Sequence, residues 1–324
     1  MPDLLRMSNL YRRSIRTSFF LVVFLVLVGG LVRSTGAGLG CPDWPKCFGL
    51  WVPPVHISQV PLEYWNDPLS SFDGQLIFNP IKTWTEYINR LIGVVIGLSI
   101  LIQAVLSLLV KPGLTARIFS LASLVMVIGQ GILGAFVVSS ELKPLVISIH
   151  LTVAVLIGFS LLGAWFFSDK PPAIISPYPL SPFALTIFIL TSFCLIIQFV
   201  LGTEVRSQVD ALFHRYFYES RHLYAGFLNW IFLFHRSFSL LVLVLLILQI
   251  PVIGKFMPVS YWYQLIYPLC LALGLIISGV ILAYFNFPSF AQPFHLLFGF
   301  CIVCSQFWLF LHFRHFYLQS RASH

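Results

Sequence analysis

Eight apolar runs, each long enough to cross a bilayer, constrain this chain more than any other feature. They fall at about residues 15–33, 86–110, 117–138, 145–167, 182–204, 229–250, 261–284 and 293–312. In hydrocarbon a backbone can satisfy its polar groups only as a helix or in a closed barrel, and a spanning helix needs about 20 apolar residues. Only 9% of the residues are charged and the mean hydropathy is +0.91, whereas a soluble domain carries about 25% charged residues. The expected fold is an all-α integral membrane protein with eight transmembrane helices. The net charge of +8 does not point to nucleic acid, because many basic residues lie in short loops and tails, where they report orientation.

Arg6, Arg12, Arg13 and Arg16 precede the first run. This cluster places the N-terminus in the cytoplasm, and an even number of spans brings the C-terminus to the same side. Lys111, Arg117, Lys170 and Lys255 then lie in cytoplasmic loops. The run from Thr17 to Val32 is long for a signal peptide and no A-x-A cleavage pattern follows, so it reads as the first membrane helix. An outer loop of about residues 34–85 holds Cys41 and Cys47. A second polar and aromatic outer loop is expected at about 206–228.

The chain repeats itself. Helix 1 ends Gly29-Gly30-Leu31-Val32-Arg33 and helix 5 ends Gly202-Thr203-Glu204-Val205-Arg206. Helix 2 opens with Asn89-Arg90 and helix 6 with His235-Arg236. His150-Leu151 near the start of helix 4 is matched by His295-Leu296 in helix 8. Asn89 and His150 are 61 residues apart, His235 and His295 are 60. The reading is two pseudo-symmetric four-helix bundles, residues 1–175 and 176–324, related by an axis along the membrane normal.

Asn89, His150, His235 and His295 therefore fall at one depth, in the outer part of the bilayer. Two histidines on facing helices of a bundle can hold a haem, one imidazole on each side of the iron. No third or fourth ligand of matching depth is evident, which weighs against zinc. His235 with His295 can saturate an iron, a centre suited to electron transfer. Asn89 with His150 offers one strong ligand and one poor one, which leaves a coordination position for chemistry. Glu86, Asn89 and Arg90 share one helical face. Glu86 is a candidate proton-transfer group there, or it is half of a Glu86–Arg90 ion pair that seats the helix. Arg33, Arg206 and Arg236 are placed for haem propionates or for ordinary interfacial anchoring. Cys41 and Cys47, in an oxidising compartment, form either a stable disulfide or a redox-active pair. Cys194, Cys270, Cys301 and Cys304 read as packing residues, and His312 and His315 as interfacial anchors.

The stretches Gly29–Gly36, Gly40–Cys47 and Glu86–Arg90, with His150-Leu151, Gly202–Arg206, His235-Arg236 and His295-Leu296, together resemble the haem A synthase family. The resemblance runs from about residue 15 to 312. It implies an oxidoreductase that converts the C8 methyl of haem O to a formyl group by successive hydroxylation, giving haem A for terminal oxidases. It implies a haem b between His235 and His295. Substrate haem O is then received near Glu86, the catalytic candidate, and near Asn89, Arg90, His150 and Arg33. Many members of the family have His where this chain has Asn89. The expected partners are haem O, a neighbouring haem O synthase, an electron acceptor that the residues do not specify, and a second copy of the chain; nucleic acid is not among them. The expected location is the inner, cytoplasmic membrane of a cell. Two other classes compete. A dihaem cytochrome b moving electrons between quinone and an outer partner would need saturated ligation at both haems. A haem-handling protein without catalysis would not need Glu86.

Overall fold

The computed structural model describes residues 2–65, 71–72, 75–76, 78–169, 181–216 and 224–322. The expected half boundary at 175/176 and the loop residue Lys170 lie outside the described residues. Nine α-helices are present among the described residues: α1 (Pro2–Ser34), α2 (Pro80–Val110), α3 (Leu114–Ser139), α4 (Pro144–Ser168), α5 (Pro182–Tyr216), the one-turn α6 (Tyr224–Phe227), α7 (Trp230–Gly254), α8 (Tyr263–Tyr284) and α9 (Ala291–Ala322). Eight of them are long and apolar enough to cross a membrane. The extended structure described is a two-residue ladder, Ser71–Phe72 antiparallel to Gln75–Leu76. The protein is an all-α, multi-pass membrane protein.

Helix ends differ from the apolar runs where capping, not lipid, sets the boundary. The apolar run of α2 was expected from residue 86, yet the helix begins at Pro80. Asn79 caps it by accepting from the Lys82 N–H at 3.1 Å, and Pro80 sits at the first helical position, where its missing donor costs nothing. The polar stretch expected as a loop from 206 is also corrected. Helix α5 continues to Tyr216. Residues 203–216 hold no Gly or Pro to stop it, and an Arg206–Asp210 ion pair at i, i+4 spacing supports the extra turns.

The chain divides into two compact units, Met1–Ser168 and Asp169–His324. In the first, α1 packs on α2 and α4, and α3 packs on α2 and α4. In the second, α5 packs on α7 and α9, and α8 packs on α7 and α9. Each unit is thus a closed ring of four long helices in the same order. In no span is more than a third of the most apolar window buried inside the protein, so the remaining apolar surface suits lipid. Interhelical association without a hydrophobic driving force relies on packing and polar contacts. Such contacts are present. In the first unit Tyr11 pairs with Ser120 at 2.8 Å, Ser18 with Ser99 at 2.8 Å, and Gln103 donates to Ser123 at 2.7 Å. In the second, Gln306 donates to Ser192 at 3.1 Å. Cys194 and Cys301 pack in the apolar core of the second unit and Cys304 is buried, while Cys270 is exposed.

Candidate functional site

The segment after α1 folds over the start of α2. Cys41 and Cys47 are joined as a disulfide and are fully buried, packed with Phe48 and Val60. The Asp43 carboxylate accepts from the N–H groups of Phe48 and Gly49 and closes the turn. Gly40 is required by space. A β-carbon there would lie 2.5 Å from the Lys82 carbonyl oxygen, inside the backbone of α2. Thr83 Oγ1 donates to the Gly40 carbonyl at 2.8 Å, and the Tyr87 hydroxyl donates to the Trp51 carbonyl.

Glu86 and Arg90 lie beneath this loop. Glu86 is buried; its Oε2 accepts from the Cys41 N–H at 2.9 Å, and its Oε1 accepts from Arg90 Nε at 3.1 Å and Nη2 at 2.5 Å. Arg90 also donates to the carbonyls of Asp43 (2.7 Å), Lys46 (2.9 Å) and Cys41 (3.5 Å). All five N–H groups of the guanidinium are therefore taken by protein acceptors. Arg90 was expected at the substrate haem; in the structure it grips the cysteine loop and Glu86. The ion pair left open by the sequence is formed.

Asn89, His150, His235 and His295 each face a glycine on the preceding long helix. A methyl group added at Gly29 would lie 4.0 Å from Asn89 Oδ1; at Gly134, 3.8 Å from His150 Cε1; at Gly202, 3.3 Å from His235 Cε1; at Gly279, 3.4 Å from His295 Cε1. Gly134 precedes His150, and Gly279 precedes His295, by the same sixteen residues. Gly29 and Gly202 open the matched helix ends read from the sequence. The repeat thus extends from residue pattern to contact. Within the second unit the imidazoles of His235 and His295 approach to 6.5 Å between ring centres. His295 Nδ1 lies 2.8 Å from Ser278 Oγ. His235 Nδ1, His150 Nδ1 and Asn89 Oδ1 are buried with no hydrogen-bond partner.

Three supporting polar residues carried no signal in the sequence reading. Gln130 Nε2 donates to the His150 carbonyl at 2.9 Å, Gln198 Nε2 to the His235 carbonyl at 3.1 Å, and Ser278 meets His295. A sequence signal did exist for the first two. Gln130 precedes Gly134 and Gln198 precedes Gly202 by four residues, one helical turn, in otherwise apolar runs.

The arginines are dispersed. Arg33 is half-buried in the last turn of α1. Arg206 pairs with Asp210 at 2.8 Å and donates to Gln292 Oε1 at the start of α9. Arg236 is exposed, its guanidinium 6.0 Å from the centre of the Phe232 ring. His312, expected as an interfacial anchor, is buried against Trp308 and Tyr261.

Two imidazoles on opposite sides of one metal ion, each bonded at about 2 Å, put their ring centres about 6 Å apart. The His235–His295 spacing fits that demand. The orphaned Nδ1 of His235 and the hydrogen-bonded Nδ1 of His295 leave imidazole ligation available from both rings. The residues of the second unit therefore fit a haem iron. In the first unit His150 supplies the one imidazole among the paired positions.

Fold and site together define a multi-pass helical membrane protein with a histidine pair spaced for one metal in one unit and Asn89 and His150 at the matching positions of the other. The chain belongs to the cytochrome oxidase assembly protein family (COX15-CtaA), whose model matches residues 12–307. It is 30% identical over 201 residues to a heme A synthase of Shewanella oneidensis, covering 61% of this chain and 57% of that protein. It is 32% identical over 170 residues to a heme A synthase of Shouchella clausii, covering 51% and 48%. It is 29% identical over 172 residues to a heme A synthase of Orientia tsutsugamushi (strain Ikeda), covering 48% and 46%. The chain spans about half the length of the curated relatives it matches.

Proposed function

We propose that this chain is a haem A synthase, oxidising the C8 methyl of haem O to a formyl group by successive hydroxylation. The observation that carries the reading is one device built twice. With two imidazoles it suits a saturated haem b held by His235 and His295 in residues 176–324. With Asn89 and His150 it suits a reactive site for haem O in residues 1–175. The names of the relatives support the same activity. A bound haem b would supply electron transfer; the residues around it hold, orient and seal.

In this reading His150 is the strong ligand toward the substrate haem, and Asn89 leaves the opposite side free or hydrogen-bonds what sits there. Glu86 is the catalytic carboxylate. It is held in place by Cys41 N–H and by Arg90, which acts as a positioning residue because none of its donors is left for substrate. The Cys41–Cys47 disulfide keeps the loop folded over that carboxylate. Arg33 would serve the propionates of the substrate haem, and Arg206 and Arg236 those of haem b. Arg206 in addition ties α5 to the start of α9, one turn from His295. The protein lies in the inner membrane of a cell with both termini cytoplasmic, and takes haem O from a neighbouring synthase.

The test is expression in a host that makes haem O but no haem A, followed by chromatography of extracted haems with mass detection. Haem A or its hydroxymethyl precursor appearing only with this chain is the expected result. Haem b with unchanged haem O, from folded and haem-loaded protein, would favour the dihaem cytochrome b reading.

A further inference from the structure

We propose that Ser278 fixes His295 in a single tautomer, with the proton on Nδ1 and the lone pair on Nε2. This makes His295 the anchored member of the His235–His295 pair. The consequence for haem rests on the haem b reading above; the tautomer itself does not.

A serine hydroxyl has one hydrogen and two lone pairs. Ser278 Oγ lies 2.8 Å from the Gly274 carbonyl oxygen and 3.1 Å from that of Leu275. Carbonyls only accept, so both are acceptors in reach of the one hydroxyl hydrogen. Ser278 Oγ is also 2.8 Å from His295 Nδ1. With the hydroxyl hydrogen turned to either carbonyl, as the proposal takes it, this contact is a hydrogen bond only if Nδ1–H donates it. A neutral imidazole with its proton on Nδ1 carries its lone pair on Nε2, the atom then able to bind a metal.

Packing points the same way. Gly279, next to Ser278, would place a methyl group 3.4 Å from His295 Cε1 and 3.9 Å from Nδ1. The Cε1–Nδ1 edge of the ring therefore lies against α8. His235 is held differently. Its Nδ1 is buried without a partner, and its helix is gripped through the main chain, Gln198 Nε2 donating to the His235 carbonyl. Each ring also meets the main chain of the preceding long helix, His235 at Gln198 and His295 at Leu275, and His295 has in addition a side-chain hydroxyl on Nδ1. The two imidazoles thus differ in side-chain support, although alike in position. A hydrogen bond on the far nitrogen of a ligating histidine fixes the ring and raises its basicity, and its loss lowers metal affinity or activity about 10–100-fold.

The experiment uses the full-length protein purified in detergent, with Ser278→Ala and Ser278→Thr compared with the unmodified chain. The tautomer is read in the haem-free protein, where no iron holds Nε2, by NMR of ring nitrogens in protein labelled with ¹⁵N-histidine, the His295 signals being assigned with His295→Ala. A protonated Nδ1, lost as a unique state in Ser278→Ala and kept in Ser278→Thr, is the expected result. Transfer of haem b to apomyoglobin and the midpoint potential are then measured. Ser278→Ala should bind haem b about 10–100-fold more weakly and shift the potential upward, because a less basic ligand favours ferric iron less. Ser278→Thr should restore both. An unchanged tautomer in Ser278→Ala overturns the proposal, as does equal haem loss in both variants, which would assign the effect to packing. A haem signal indifferent to His235→Ala would instead sink the haem b reading, with the nitrogen spectra still deciding the role of Ser278.

Discussion

Arg90 holds Glu86 with two of its five donors and the cysteine loop with the other three. The pair sits on one turn of α2 with side-chain exposures of only 12% and 6%. The start of this helix and the loop folded over it are therefore one cooperative piece.

Replacing Arg90 by Ala should leave a buried carboxylate and three carbonyls without their partner. Breaking a buried pair in this way costs about 3–5 kcal/mol. Arg90→Lys should recover little, because an ammonium cannot present the same fork. The measurement is thermal unfolding in detergent, with the rate at which a phosphine reductant opens Cys41–Cys47 as a local readout. Both variants should open faster.

Glu86→Ala should retain haem b and lose formyl formation, while Glu86→Gln keeps an acceptor for the Cys41 N–H and so keeps the loop in place. Haem spectra and extracted-haem chromatography separate the two effects. Normal haem A output from Glu86→Gln would restrict Glu86 to a structural role.

The glycines predict a graded series. Alanine is the better helix former by about 1 kcal/mol, so Gly93→Ala, with nothing within 4 Å of the new methyl, should be neutral or stabilising. Gly29→Ala reaches Asn89 Oδ1 only at ordinary contact distance and should be tolerated. Gly202→Ala presses on His235 Cε1 at 3.3 Å and should disturb the haem b spectrum. Gly40→Ala meets backbone at 2.5 Å and should lift the loop, seen as a lower unfolding temperature and faster disulfide reduction.

His235→Ala and His295→Ala should each cost the low-spin haem b signal. Asn89→His adds a second imidazole at the position that matches His235 and should convert the haem of the first unit to a six-coordinate, low-spin form. Electron paramagnetic resonance of the oxidised protein reads both outcomes. A high-spin signal unchanged in Asn89→His would remove Asn89 from the substrate site.

The sequence by itself determined the class, the eight spans and the two matched sets of candidate positions. Hydrocarbon leaves a 20-residue apolar run one local solution, and a repeat of Gly, Asn or His, and Arg in fixed order survives without knowledge of packing. Residues whose partners are distant in the chain were decided only by tertiary structure. Glu86 could be read as a free acid or as half of an ion pair until Cys41 N–H and Arg90 were seen on its two oxygens. The family resemblance placed Arg90 near the substrate haem; the carbonyls that take its donors lie more than forty residues away in the chain. Ser278 is a single polar residue in an apolar run, and a hydroxyl there has no address until the facing helix is known; Gln130 and Gln198 share a spacing to a glycine, but the carbonyls they reach were decided by the facing helix. The end of α5 at Tyr216 likewise escaped hydropathy, which reports where lipid stops and not where hydrogen bonding does.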